Sequence, residues 1–158
     1  MNQAGAQITR RRLVQAAGSL ALGGPALLTL TPAAATPASM QAAIAHIVGD
    51  ARITPGRVTL DIPPLVENPN TVSCSVSVDS PMTPHDYVKA IHVFTEKNPQ
   101  PNVISARLSW RAGKAMVSTR IRLADTQTVT AIAQMSDGSF WSHAVGVIVT
   151  LGACLEDS

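Results

Sequence analysis

From Val58 onward the apolar residues of this chain recur at every second position. Val72, Cys74, Val76 and Val78 alternate with Thr71, Ser73, Ser75 and Ser77, which is the pattern of a strand with one face in a core and one in water. Val58 and Leu60 alternate in the same way ahead of Pro63-Pro64. The series continues with Tyr87 to Thr95, then Ile104, Ala106, Leu108 and Trp110, then Val117, Thr119, Ile121 and Leu123. Gln127 to Met135 follows, and Val145, Val147, Val149 and Leu151 close it. Turn residues separate the runs at Asp79-Ser80-Pro81, Lys97-Asn98-Pro99-Gln100-Pro101, Gly113 and Ser136-Asp137-Gly138-Ser139. About seven strands at this spacing predict an all-β fold, an immunoglobulin-like antiparallel β-sandwich. The absence of a helix-length segment between the strands argues against a parallel α/β sheet. One short helix precedes them over Met40 to Val48: Ser39 caps it, Ile44, Ile47 and Val48 share a face, and Gly49 ends it.

The first 35 residues follow a different pattern. Thr9-Arg10-Arg11-Arg12-Leu13 leads into an Ala-, Gly- and Leu-rich run ending near Leu30, and Ala33-Ala34-Ala35 supplies small residues behind it. Basic region, apolar region and A-x-A site make up a secretory signal. The paired arginines mark it as a twin-arginine (Tat) signal, with cleavage expected after Ala35. Gly18, Gly23, Gly24 and Pro25 weaken the run as a membrane span. The predicted organisation is thus a signal over 1–35, a sandwich domain over 36–151 and a flexible C-terminal arm over 152–158, with a periplasmic destination and no membrane attachment after cleavage.

Charge alters the picture only once the signal is set aside. The chain has 12 Lys+Arg and 10 Asp+Glu, but Arg10, Arg11 and Arg12 lie in the signal and no acid does, leaving 9 basic residues against 10 acidic ones. The basic balance therefore belongs to the targeting segment. No clustered basic face of the kind that binds nucleic acid is visible. Aromatic residues make up 3% of the chain, so the core must be built from Val, Ile, Leu, Ala and Met.

Chemistry concentrates at Cys154, which follows the last strand in Leu151-Gly152-Ala153-Cys154-Leu155-Glu156-Asp157-Ser158. Terminal residues are weakly held by packing, and Gly152 lets the backbone bend. Two readings are open at this point. Cys154 is a tethered thiol that carries a covalent cargo, or it is locked in a structural disulfide with Cys74, which would make the domain a non-carrying interaction module. Cys74 sits on the apolar parity of its strand, which predicts a buried, inert thiol and favours a free Cys154. His46, His85, His92 and His143 lack the close spacing of a zinc site. Asp125 and Asp137 fall in or beside turns, and Arg120 and Arg122 form a small basic stripe. No nucleophile elbow, phosphate loop or carboxylate pair is present, so neither an active site nor a metal or cofactor is expected.

Several motifs resemble one family. Asp61-Ile62-Pro63, Glu67-Asn68-Pro69-Asn70-Thr71-Val72 and Val76-Ser77-Val78-Asp79-Ser80-Pro81-Met82-Thr83 are similar to SoxY, the sulfur-carrier family of the Sox thiosulfate-oxidising system. The likeness continues through Asp86-Tyr87-Val88-Lys89, Lys97 to Pro101, Ser118 to Ala124 and Gln134 to Ser139, and ends at Val149-Thr150-Leu151-Gly152-Ala153-Cys154. The resemblance implies a carrier with no activity of its own, paired as a heterodimer with SoxZ, a second small β-sandwich protein. It implies that a SoxAX-like cytochrome loads thiosulfate onto Cys154, that a SoxB-like hydrolase releases sulfate to leave a persulfide, and that a SoxCD-like dehydrogenase acts on the remaining sulfur where it is present. Gly152 and Ala153 take the place of the carrier arm. The family's tail runs Gly-Gly-Cys-Gly-Gly; here Ala153 replaces the second glycine, and Leu155-Glu156-Asp157-Ser158 stands after the cysteine.

Overall fold

The computed structural model of the chain describes residues 36–150. It opens with helix α1, Pro37–Val48. Thr36 is the N-cap: its hydroxyl accepts from the Ser39 backbone N–H at 3.2 Å, and its own N–H donates to Ser39 Oγ at 2.8 Å. Ser39 is thus the third residue of a capping box rather than the cap itself, because Pro37 sets the first helical φ without needing a donor. Gly49, at φ 62°, ends the helix where a side chain would be strained.

Nine strands follow: β1 Ile53–Pro55, β2 Val58–Asp61, β3 Leu65–Val66, β4 Val72–Val78, β5 Val88–Thr95, β6 Asn102–Arg107, β7 Met116–Ile121, β8 Gln127–Met135 and β9 Phe140–Val149. They form two sheets. The larger runs β1-β9-β8-β5-β6, with β3 also paired to β9, and the smaller runs β2-β4-β7. Most pairs are antiparallel, but β1 and β3 each run parallel to β9. These two strands are too short for a period to register in the sequence. Trp110 lies not in a strand but in a single 3-10 turn, Trp110–Ala112, and is exposed. The last strand begins at Phe140, earlier than Val145, because Phe140 pairs with Gln134 at the start of a continuous β8–β9 ladder.

The expected alternation is present in β4, where Val72, Cys74, Val76 and Val78 are buried and Ser73 and Ser77 are exposed. These side chains meet Val88, Ile91, Val93, Val129, Ala131, Ala133 and Val147 of the larger sheet in one core between the layers. Both β5 and β8 are apolar on two faces for a second reason. Helix α1 lays Met40, Ile44 and Val48 against Phe94, Ile132 and Phe140 on the outer face of the larger sheet. Each of these buried side chains contributes on the order of 1.5–3 kcal/mol of transfer free energy, far more than a 12-residue helix gains from propensity alone. At the β2–β9 side His143 Nδ1 accepts the Leu60 N–H at 2.9 Å, a cross-sheet bond that occupies the histidine structurally. No helix among the described residues is long and apolar enough to cross a membrane.

Candidate functional site

The predicted carrier residue Cys154, with Gly152 and Ala153, lies outside the described residues, as does the predicted signal over 1–35. The structure does describe the strand end that leads to it. β9 runs into Thr150 between two partners. On one side Leu65 and Val66 pair with Ile148 and Val149. There Ile148 N–H donates to Pro64 O at 2.8 Å and Thr150 N–H to Val66 O at 2.9 Å. On the other side Thr126 Oγ1 accepts the Val149 N–H at 3.0 Å. Thus Pro63-Pro64, which in the sequence shows only as a turn, delivers β3 to the strand that precedes the cysteine.

A buried polar network sits at the same end of the sandwich. Asn98 is 8% exposed; its amide donates to Arg122 O at 2.7 Å, and its carbonyl oxygen accepts from Ala124 N–H at 2.9 Å and Gln127 Nε2 at 3.1 Å. Gln127 Oε1 accepts the Lys97 N–H at 2.8 Å, and Gln127 is in register with Val147 of β9. Lys97 Nζ bridges to Asp125 at 2.8 Å. That hydrogen bond, helped by the Thr126 N–H, holds the Asp125 carboxyl below the usual carboxylate range. The network ties two loops, 96–98 and 122–126, to the start of β8 beside the strand end. In the sequence Asn98 is one residue of a Pro-rich turn, and nothing local separates it from an ordinary turn asparagine.

Cys74 is 1% exposed and lies in the core cluster between the sheets. Desolvation, with the Asp61 carboxylate adding to it, pushes its thiol up to about 11, so it is neither an accessible nucleophile nor a ready thiolate. The buried position expected from strand parity is the one observed. His46 and His92 line one hollow of about 430 Å³ together with Lys89, Arg107 and Gln134. His92 Nδ1 lies 2.9 Å from Ser105 Oγ, and its pKa is lowered by burial and by the Arg107 charge. Among the described residues no three His, Cys, Asp or Glu side chains are grouped to hold a metal ion. Arg120 and Arg122 border a cleft of about 500 Å³ between the edges of β6 and β7, opposite Asn98 to Asn102.

Comparison with known proteins adds a family to this geometry. The model of the family described as "Sulfur oxidation protein SoxY" matches residues 44–154. Among solved structures, the sulfur carrier protein SoxY from Chlorobium limicola f thiosulfatophilum is similar at 27% identity and a TM-score of 0.61, over 72% of this chain and 98% of that one. The superoxide reductase (neelaredoxin) from Ignicoccus hospitalis has a TM-score of 0.54 at 14% identity, over 60% of this chain and 81% of that one. The superoxide reductase from Nanoarchaeum equitans has a TM-score of 0.52 at 10% identity, over 61% and 100%. At such identities the likeness to the reductases shows the fold alone. Comparison with curated proteins finds no match.

Proposed function

Because the chain belongs to the SoxY family of sulfur oxidation proteins, we propose that it is a periplasmic sulfur carrier, exported by the twin-arginine pathway, that holds thiosulfate-derived sulfur covalently on Cys154. The observation that carries this reading is the extent of the family match, which runs through to residue 154 and so takes in the cysteine and the arm before it. The burial of Cys74 supports it from the other side. A thiol buried in the core is out of reach of large partner proteins, which leaves Cys154 as the residue suited to exchange cargo.

In this reading the Cys154 thiolate forms a sulfur–sulfur bond to the outer sulfur of thiosulfate. Two electrons leave to a cytochrome of the SoxAX type, and the product is a cysteine S-thiosulfonate. Water then cleaves the bond between the sulfane sulfur and the sulfonate under a SoxB-like hydrolase, releasing sulfate and two protons and leaving the persulfide anion. A SoxCD-like dehydrogenase, where one exists, oxidises that sulfur further. The carrier supplies a thiol and a fixed starting point for its arm. A SoxZ-like subunit completes the working heterodimer. The hydrogen bonds from Thr150 to Val66 and from Val149 to Thr126 support the fixed starting point, because they hold the strand until four residues before the cysteine.

The test is intact mass of the non-reduced protein before and after thiol alkylation, with Cys154→Ser alongside. The carrier reading expects an alkylatable or sulfur-adducted Cys154, with the adduct lost on reduction and absent from the variant. A mass two hydrogens light that resists alkylation would establish a 74–154 disulfide and replace the carrier with a structural module.

A further inference from the structure

Helix α1 and the larger sheet leave a hollow of about 430 Å³ between them, where His46 and Ile47 in the last turn of the helix meet the outer face of β5, β6 and β8. The strand register explains why it forms there. Ala90 pairs with Arg107 of β6 on one side and with Gln134 of β8 on the other. A buried methyl group is thus the floor, and two long side chains stand on neighbouring strands about 5 Å to either side. His92, two residues along β5, lies about 7 Å away on the same face. The register of β5 against β8 shifts between Val88 and Ala90, which leaves Lys89 unpaired on that side, and Lys89 also borders the hollow. The polar lining is cationic or neutral throughout, with no Asp or Glu. The ion pairs among the described residues, Arg57–Asp86 and Lys97–Asp125, engage neither Lys89 nor Arg107.

We propose that this hollow binds a tetrahedral dianion of the sulfate and thiosulfate type. Lys89 and Arg107 supply two permanent positive charges to match the two negative ones, and Arg107 presents a planar pair of donors suited to oxyanion oxygens. Neutral donors complete the set. Asn102 Nδ2 donates to Ser105 Oγ at 2.9 Å, which makes the Ser105 proton available to His92 Nδ1, also 2.9 Å away. The opposite arrangement, with Ser105 donating to Asn102 Oδ1, is longer at 3.2 Å. The shorter chain assigns the ring proton to Nε2, the nitrogen left for a ligand. The Gln134 amide adds a donor from the far side. Burial, and after it the Arg107 charge, lowers the His92 pKa, so the field of the arginine reaches the ring. Two cations held together without an acid repel each other, and an anion between them relieves that repulsion. Arg107 and Gln134 stand about 10 Å apart across Ala90, which gives room for one tetrahedral group rather than an extended polyanion. The dianion site follows from these side chains alone; the choice of sulfur oxyanions rests on the carrier reading.

The experiment is a titration of the full chain carrying Cys154→Ser with sodium sulfate and, separately, sodium thiosulfate, at an ionic strength held constant with sodium chloride. Nuclear magnetic resonance follows the His46 and His92 Cε1–Hε1 signals and the Gln134 side-chain amide. These are expected to move along saturable curves below about 20 mM while core amides such as those of Val76 and Val93 stay put. K89Q/R107Q is expected to weaken binding at least about tenfold, because it removes two charge-assisted contacts. R120Q/R122Q removes as many cations from a different part of the surface and should leave the affinity within about twofold. Shifts that rise linearly without saturating would overturn the proposal, as would equal shifts with chloride alone. Binding that survives K89Q/R107Q, or that falls as far in R120Q/R122Q, would overturn it too. Saturable binding of either anion supports the site, and the tighter of the two names its source: incoming thiosulfate or released sulfate. Lys89 and Arg107 are exposed, and unchanged core amides in K89Q/R107Q check that the fold is kept. The Cys154→Ser chain has lost the proposed carrier thiol, so failure here leaves the carrier reading standing, and failure of the carrier reading leaves the dianion site standing.

Discussion

The two cysteines should differ in reactivity by orders of magnitude, and the difference follows from the fold. Cys74 has its thiol raised from an ordinary value of 9.0 to about 11. That alone lowers the thiolate fraction near neutrality about a hundredfold. Its side chain is also 1% exposed, so a reagent reaches it only when the sandwich opens, which for a core strand approaches global unfolding. Combined, these effects slow its alkylation by at least about a thousandfold relative to a free cysteine peptide. The assay is a mass-spectrometric time course with iodoacetamide at pH 7.5 on the native protein and on Cys154→Ser. The native protein should take up one label quickly and a second only in denaturant, and Cys154→Ser should take up none until unfolded. Labelling of native Cys154→Ser within tenfold of the peptide rate would refute the packing assigned to β4. Absence of any fast label in the native protein would refute a free Cys154.

Further expectations rest on the same contacts. Between pH 9 and 11 the unfolded Cys74 ionises while the folded one stays protonated, so stability falls with rising pH by up to about 3 kcal/mol. Urea melts of Cys74→Ala should lack that share of the alkaline loss, and parallel curves would contradict it. Phe94, fully buried between the larger sheet and α1, should cost about 3–5 kcal/mol when cut to alanine; a loss under about 1 kcal/mol in urea would mean that α1 does not pack there. Asn98→Ala leaves Arg122 O, Ala124 N–H and the Gln127 amide without partners. Its cost should be about 3 kcal/mol, with faster hydrogen exchange at Ala124, and retention of native exchange there would refute the role of the network. Thr126→Val removes the acceptor of the Val149 N–H and should cost about 1 kcal/mol while speeding exchange at Val149; an unchanged Val149 amide would show that the strand end is held from the β3 side alone.

Much of the fold was legible because one face of each long strand is buried and the period of two survives in the residues. Gln127 to Met135 shows in the sequence with the bounds that β8 has in the structure, and Val72 to Val78 alternates as β4 does. The legibility failed where length or partners erased the period. Leu65–Val66 is a two-residue strand that exists because β9 is there to pair with it. Strand β5 is buried on both faces by the core and by α1, so its sequence shows an apolar run without indicating what covers the second side. Parity placed Cys74 in the core because a strand side chain has only two directions. Asn98 was not legible, because its three partners come from residues 24 to 29 positions away.

The same contrast bears on how a carrier arm can be specified. The sulfur chemistry proposed for Cys154 requires little of its own residue beyond a thiol, so identity alone marks the candidate. Delivery requires that the arm begin at a defined point, and that point is made by distant residues: Val66 on one side, Thr126 on the other, and the Asn98–Gln127 network behind. Their bonds are mostly backbone bonds or bonds to the backbone, which many sequences can supply. On the proposed carrier reading, the cargo residue is visible in the chain while the end of the strand before it is fixed only in the fold. Substitutions at Thr126 or Asn98 should then change how the thiol is presented without changing what the thiol is.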